Sequence, residues 1–118
     1  MKIRNGFVSN SSSSSFIVAT DGQTVIDFKV TIDLAEYGDV IKTKGDLDNY
    51  FTHNYGSSWR KDDEYLMDNY NKCVDALKRG KILILGYVSN EGEPEEYLLY
   101  ESGIPQADGL EVIQDVES

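Results

Sequence analysis

Few side chains in this sequence combine the type and spacing that chemistry requires. His53 is the only histidine and Cys73 the only cysteine. A histidine acting as general base needs a nucleophile or carboxylate within hydrogen-bond reach. The helical neighbours of His53 are Asn49, Tyr50 and Gly56, which complete no triad, so it reads as a surface or helix-end residue. Cys73 falls on an apolar helical stripe, where a core thiol is expected; a reactive cysteine wants an electropositive, partly exposed setting. A lone cysteine also excludes an internal disulfide and a cysteine-based zinc site. Asp62-Asp63-Glu64 offers ligands for a divalent cation, but compensation of a helix dipole explains it more simply. Asn90-Glu91-Gly92-Glu93 lacks the rest of a calcium loop, and no EF-hand spacing, Walker loop or dinucleotide fingerprint is present. Ser9 to Ser15 holds several equivalent hydroxyls with no placed base, so a hydrolase or transferase using that run is the weakest reading. No catalytic residue, metal or cofactor is expected.

Charge is more informative. The 118 residues carry a formal charge of -10 from 21 acids and 11 Lys or Arg. From Met1 to Lys81 acids and bases nearly balance, whereas Ile82 to Ser118 contains nine acids and no Lys, Arg or His. The nine are Glu91, Glu93, Glu95, Glu96, Glu101, Asp108, Glu111, Asp115 and Glu117. Ordinary surfaces mix both signs. Such a balance disfavours direct contact with nucleic acid or anionic lipid, and favours a basic partner or solubility alone. Carboxylates at alternate positions of a strand repeat every ~6.7 Å. Every second phosphate of a DNA strand has a similar axial spacing, so a line of such carboxylates imitates nucleic acid in a basic groove. The eight tyrosines and single tryptophan add amphipathic anchors. Tyr50 and Tyr70 lie on helix stripes, while Tyr55, Trp59 and Tyr65 flank a helix-helix connection and are the better interface candidates. Stacking on bases is disfavoured, because that mode normally comes with a basic groove.

These residues need elements to position them. The length fits one domain. Phe16 to Thr20 reads as a short strand, followed by a turn at Asp21-Gly22. Thr24 to Leu34 alternates Ile26, Phe28, Val30, Ile32 and Leu34 with polar residues, a half-buried strand of a sheet covered on one side. Tyr37 to Lys42 is a connection with an extended piece at Val40-Ile41. Thr43 and Asp46 fit a capping box for a helix over Lys44 to Tyr55, stopped by Gly56. A second helix runs from about Asp62 to Arg79, with Leu66, Tyr70, Cys73, Val74 and Leu77 as its apolar stripe and Gly80 as its cap. Lys81 to Ser89 is apolar on both faces, as central strands are. Glu96 to Glu101 reads as a return strand after the Asn90-Pro94 turn, and Leu110 to Val116 as an edge strand or a loose tail. The expectation is an α+β fold: an antiparallel sheet of four to five strands with two helices packed on one face. Residues 1-15 form a Ser-rich N-terminal segment and 16-118 a single domain with an acidic final third. The longest purely apolar run, Ile82 to Leu85, is far too short for a membrane span, and the N-terminus lacks the apolar run of a secretory signal. With one cysteine, a reducing cytoplasm is the expected compartment.

The opening Arg4-Asn5-Gly6-Phe7-Val8-Ser9-Asn10, followed by five serines and Phe16-Ile17-Val18, resembles a recurrent N-terminus. It is similar to that of small, mostly uncharacterised bacteriophage and bacterial proteins beginning Arg-x-Gly-Phe-Val-Ser-Asn with a serine run and a Phe. The likeness spans the fifteen residues from Arg4 to Val18 and carries no functional residues. It implies a phage or mobile-element setting, and a shared role for Phe7, Asn10 and the serines as a structured loop or recognised tag.

The leading expectation is a small acidic binding protein. It would inhibit a host nucleic-acid-handling complex, such as a CRISPR or restriction effector, by occupying its basic surface. Glu91, Glu93, Glu95, Glu96, Glu101, Asp108, Glu111 and Asp115 would supply the charge, and Tyr55, Trp59 and Tyr65 the anchors. The alternative is a phage accessory or structural protein that uses the Ser-rich head for recognition or assembly.

Overall fold

The structure, a computed structural model, describes residues 13–27 and 31–116. Among the described residues, six strands and four helices follow one another. They are β1 (Ser13–Thr20), β2 (Val25–Asp27), β3 (Thr31–Asp33), β4 (Gly38–Ile41), α1 (Lys44–Tyr55), α2 (Trp59–Asp62), α3 (Glu64–Lys78), β5 (Ile82–Ser89), α4 (Pro94–Ser102) and β6 (Leu110–Gln114). A 3-10 turn, Leu34–Tyr37, leads into β4. The fold is α+β. Four strands form an antiparallel sheet in the order β4-β5-β1-β6, and β2 and β3 pair as a separate two-stranded unit.

The period-two pattern of the two central strands divides the interior. Phe16 and Val18 of β1 and Ile84 and Val88 of β5 line one face, where Ile26, Ile32, Leu34, Leu99 and Tyr100 cover them. Ile17 and Ala19, with Leu83, Leu85 and Ile41, line the other, beneath Leu47 and Phe51 of α1 and Tyr70, Cys73 and Ala76 of α3. The expected pair of helices therefore packs on one face, but the opposite face is covered as well, by the β2–β3 unit and α4. The expectation of a sheet covered on one side is corrected: β1 and β5 are apolar on both faces, and each face needs a lid. β5 lies between β4 and β1, the central position its composition requires.

Local signals account for the helices. The Thr43 hydroxyl accepts the Asp46 N–H at 3.1 Å, and Gly56, at φ 89°, ends α1 after Tyr55. The Asp63 carboxylate accepts from the Tyr65 and Leu66 amides, which starts α3 at Glu64. Asp62 instead closes the short α2.

Two element assignments change. Thr24 to Leu34 is not one strand: Val25–Asp27 pairs back on Thr31–Asp33, with Ile26 opposite Ile32. Residues this far apart share a face in a straight strand and also across this hairpin, so alternation cannot tell the two apart. Phe28-Lys29-Val30 contains no turn residue to mark the reversal, and those positions lie outside the described residues. Glu96 to Glu101 is helical, within α4. Pro94 occupies its first turn, Glu95 and Glu96 sit at its positive end, and Gly103, at φ 80°, ends it. The run Tyr97-Leu98-Leu99-Tyr100 is compatible with either element by itself. The Ser-rich boundary also moves: Ser13, Ser14 and Ser15 are the first residues of β1, opposite Ser89, Val88 and Tyr87. Residues 1–12, which carry Phe7 and Asn10, lie outside the described residues.

Candidate functional site

The end of the sheet where β5 turns into α4 carries Glu91, Glu93, Glu95 and Glu96 within six residues. The Glu96 carboxylate accepts the Ser89 N–H at 2.6 Å, tying the first turn of α4 to the last residue of β5. Gly92 passes over that carboxylate so closely that a Cβ there would lie 1.7 Å from Glu96 Oε1. The Ser89 hydroxyl accepts the Glu91 N–H at 3.0 Å, which holds the start of the turn. Glu91 and Glu93 stand exposed on it, with Glu95 half-buried behind.

The 3-10 turn meets this group from the neighbouring strand. Burial raises the Tyr37 phenol above its ordinary pKa, and the negative charges of Glu93, Glu36, Glu95 and Glu96 raise it further. Four carboxylates from two segments distant in sequence therefore add negative potential at one phenol. Glu93, the exposed Tyr97 and the exposed Glu101 follow at intervals of four along α4, which places them on one stripe. Among the described residues, no ion pair involves Glu36, Glu91, Glu93, Glu95, Glu96 or Glu101.

The remaining acids of the final third are placed elsewhere. Arg79, the C-cap of α3, grips Glu111 of β6 through two contacts, 2.8 and 3.1 Å, and also bonds Asp75. Asp115 accepts the amides of Ile104 and Val116, at 2.8 and 2.7 Å, and so fastens the loop after α4. Asp108 is exposed, beside the β1–β2 connection, where its carbonyl accepts from Gln23. Among the described acids of the final third, the ladder of carboxylates on alternate strand positions does not form, because Glu96 and Glu101 are helical and only Glu111 lies on a strand.

The aromatic candidates also divide. Trp59 is 1% exposed and packs 4.8 Å from Phe51 and 4.9 Å from Tyr70, so it is a core residue rather than a surface anchor. Its position in α2, pressed between α1 and α3, is a tertiary outcome that the sequence around it does not announce. Arg60, next in the chain, lies over the Trp59 ring at 4.6 Å and over the Tyr70 ring at 5.2 Å. Its guanidinium also reaches the Asp48 carboxylate at 3.4 Å, and the Tyr70 hydroxyl donates to that same carboxylate.

Tyr55 and Tyr65 influence one another electrostatically, as do two tyrosines not anticipated as a group. Burial raises Tyr55 to about 12, with Tyr87 and Tyr65 adding to the shift. Tyr50 is raised further still, by burial first and then by Tyr87, Tyr55 and Asp39. Tyr87 and Tyr65 are 44% and 54% exposed, so the cluster opens to solvent. Glu36, Tyr37, Asp39 and Tyr87 were missed as site residues because only the β4–β5 pairing brings their segments together.

The two titratable candidates sit in different settings. His53 is exposed in the last turn of α1. Cys73 is fully buried, and burial, aided by Glu111, pushes its thiol up to about 12. An open hollow of about 280 Å³ lies beside Arg60, Asp63 and Asn71, and a groove of about 570 Å³ beside Val40, Lys42 and Ile82; neither includes His53 or Cys73. Among the described residues, no three His, Cys, Asp or Glu side chains converge as metal ligands, and no helix is long and apolar enough to cross a membrane.

The fold and this site define an α+β protein with one acidic, tyrosine-flanked end. Comparison with protein-family models, with curated proteins and with solved structures finds no match in any of the three.

Proposed function

We propose that this chain is a binding protein whose acidic end occupies a basic, nucleic-acid-binding surface of a larger protein or ribonucleoprotein. The observation that supports this most is the separation of charge. Among the described residues, no ion pair involves Glu36, Glu91, Glu93, Glu95 or Glu101, while the Lys and Arg that are paired hold other acids. Glu93, Glu95 and Glu96 present their charge from a turn and a helix rather than from a strand, so the mimicry is of charge density and not of phosphate spacing. A field of one sign steers a cationic surface toward it and lowers the partner's access to phosphate. Exposed ion pairs contribute about 0.2–1 kcal/mol each, so the carboxylates alone give a few kcal/mol. Stable inhibition then needs desolvated anchors beside them. The N-terminal resemblance makes a phage protein directed at a host defence complex, such as a CRISPR or restriction effector, the setting of choice.

The test is capture from bacterial lysate by the native protein and by a variant carrying Glu91→Gln, Glu93→Gln and Glu95→Gln. The reading expects the native protein to retain a nucleic-acid-binding complex that added DNA or RNA releases, and the variant to lose it. Equal capture by both proteins, or a complex that nucleic acid does not release, overturns the reading.

A further inference from the structure

The bulged end of β6 ties the two layers that cover the sheet. Val18 pairs with Val112 and Ile17 with Gln114, so Ile113 is an extra residue between the two pairs. Leu110 and Val112 pack on the face covered by α4 and the β2–β3 unit. Unbroken alternation would send Gln114 to that face as well. The bulge turns it instead to the face of its partner Ile17, beneath α1 and α3. There the Gln114 side-chain amide acts as one more rung of the ladder. It donates to the carbonyl and the hydroxyl of Ser15, and it accepts from the buried Asn69 of α3 at 2.9 Å. The next residue, Asp115, accepts the Ile104 amide at 2.8 Å and so holds the loop after α4 on the opposite side. Earlier in the strand, Glu111 takes Arg79 at the end of α3. All three fasteners are polar, and the strand they hold is lightly packed. β5 pairs with β1 along the whole of Ser13–Thr20 and buries Leu83, Ile84, Leu85 and Val88. β6 pairs with β1 only from Ile17 to Thr20, lies at the edge of the sheet, and is half-buried throughout. Elements with little buried apolar surface open first, ahead of global unfolding.

We propose that residues 110–116 are a releasable strap, which opens as one unit while β1, β4, β5 and the helices α1 and α3 stay folded. Its clasps are Arg79–Glu111, Asn69–Gln114–Ser15 and Asp115–Ile104. Opening bares the Ile17–Thr20 edge of β1, which the strap otherwise closes. It also frees the loop that follows α4, because Asp115 leaves with the strap. The bulge is what makes a single strand end reach both layers: Gln114 faces α3, and Asp115 faces the chain beyond α4.

The test is native-state amide hydrogen exchange of the full chain, followed by NMR through a denaturant series below the unfolding midpoint. The β6 amides, with the β1 amides that face them, are expected to exchange through one shared opening. That opening should be more frequent, and less sensitive to denaturant, than the one that governs β5. Two variants separate a strap from a strand that merely unfolds with everything else. Gln114→Met keeps the length of the side chain and removes its amide, and is expected to speed β6 exchange roughly tenfold. Phe51→Leu weakens the core under α1, which stays folded when the strap opens. It is expected to speed exchange in β5 and leave the β6 rates unchanged. If Gln114→Met does not fold, Arg79→Gln replaces it. That residue is exposed, and the loss of its pair is expected to speed β6 exchange about twofold or more. The proposal is overturned if β6 and β5 exchange with the same rates and denaturant dependence. It is equally overturned if Phe51→Leu speeds both alike, or if the clasp variant leaves β6 exchange as it was.

Discussion

A methyl group at Gly86 tests how the acidic end is held in place. Gly86 of β5 is paired with Phe16 on one side and Gly38 on the other. The chain entering β4 crosses so close to it that a Cβ would stand 2.1 Å from the Tyr37 carbonyl oxygen and 2.7 Å from the Gly38 Cα. Both are backbone atoms, so no side chain can rotate aside. Relief requires moving the 3-10 turn that carries Glu36 and Tyr37, and overpacking of this kind costs about 3 kcal/mol at the upper end of its usual range. With a urea m-value of about 2 kcal/mol/M, the unfolding midpoint of Gly86→Ala falls by about 1.5 M. Fluorescence of Trp59, the only tryptophan and fully buried, reports the transition. A Cβ at Gly38 meets the Leu85 carbonyl oxygen at 2.5 Å and the Gly86 Cα at 2.8 Å, so it strains the same contact. The double variant should therefore lose less than the two single losses combined, since one displacement relieves both. A midpoint within about 0.3 M of the native value for Gly86→Ala would refute the packing described at this crossing.

Three further outcomes follow from the electrostatics. For Asp48, burial alone would raise the carboxyl, but the Tyr70 hydroxyl, Lys44 and Arg60 outweigh it and hold the group below its ordinary value. A carboxylate depressed in the folded state adds stability above its unfolded pKa and loses it as pH falls through the folded one. Carboxyl NMR should therefore titrate Asp48 below 3.8 in the native protein and higher in Tyr70→Phe, and an unchanged value in the variant contradicts the network. Tyr55 is raised to about 12 by burial and its neighbours, so its contribution is whole below pH 10 and fades as pH climbs through 12. Phenolate absorbance should then lag in the native protein relative to the urea-unfolded chain, and coincident titrations would contradict the cluster. Cys73, buried and raised to about 12, should react with a disulfide reagent at pH 8 only as fast as the protein opens; rapid labelling under native conditions would place the thiol elsewhere.

Much of the fold was legible because its signals are local. Thr43 and Gly56 bracket α1, and the bounds read from them match the structure. α3 starts at Glu64, capped by Asp63, rather than at about Asp62 as the acidic run suggested. Where the pattern was degenerate, the reading failed. Ile26 and Ile32 share a face in a straight strand and in a hairpin, and Tyr97 to Tyr100 is apolar enough for either a strand or a helix. The acidic bias of the final third was plain in the composition, but not the fate of each acid. Arg79 is more than thirty residues from Glu111, and the amides that occupy Asp115 and Glu96 belong to a loop and to the end of a strand, whose courses depend on the fold. Trp59 has the composition of an interface anchor and the location of a core residue, a distinction that only packing makes. Glu36 joined the site for the converse reason: nothing near it in sequence is unusual, and the pairing of Gly38 with Gly86 carries it there.

The most direct measurement is the salt dependence of affinity for the complex captured from lysate, native protein against the Glu91/Glu93/Glu95 to Gln variant. The account predicts native affinity that falls steeply as ionic strength rises, and a weaker, flatter dependence for the variant, because the removed charges face cations across the interface. Equal slopes for the two proteins would mean that the partner touches some other surface, and the acidic end would have no part in binding.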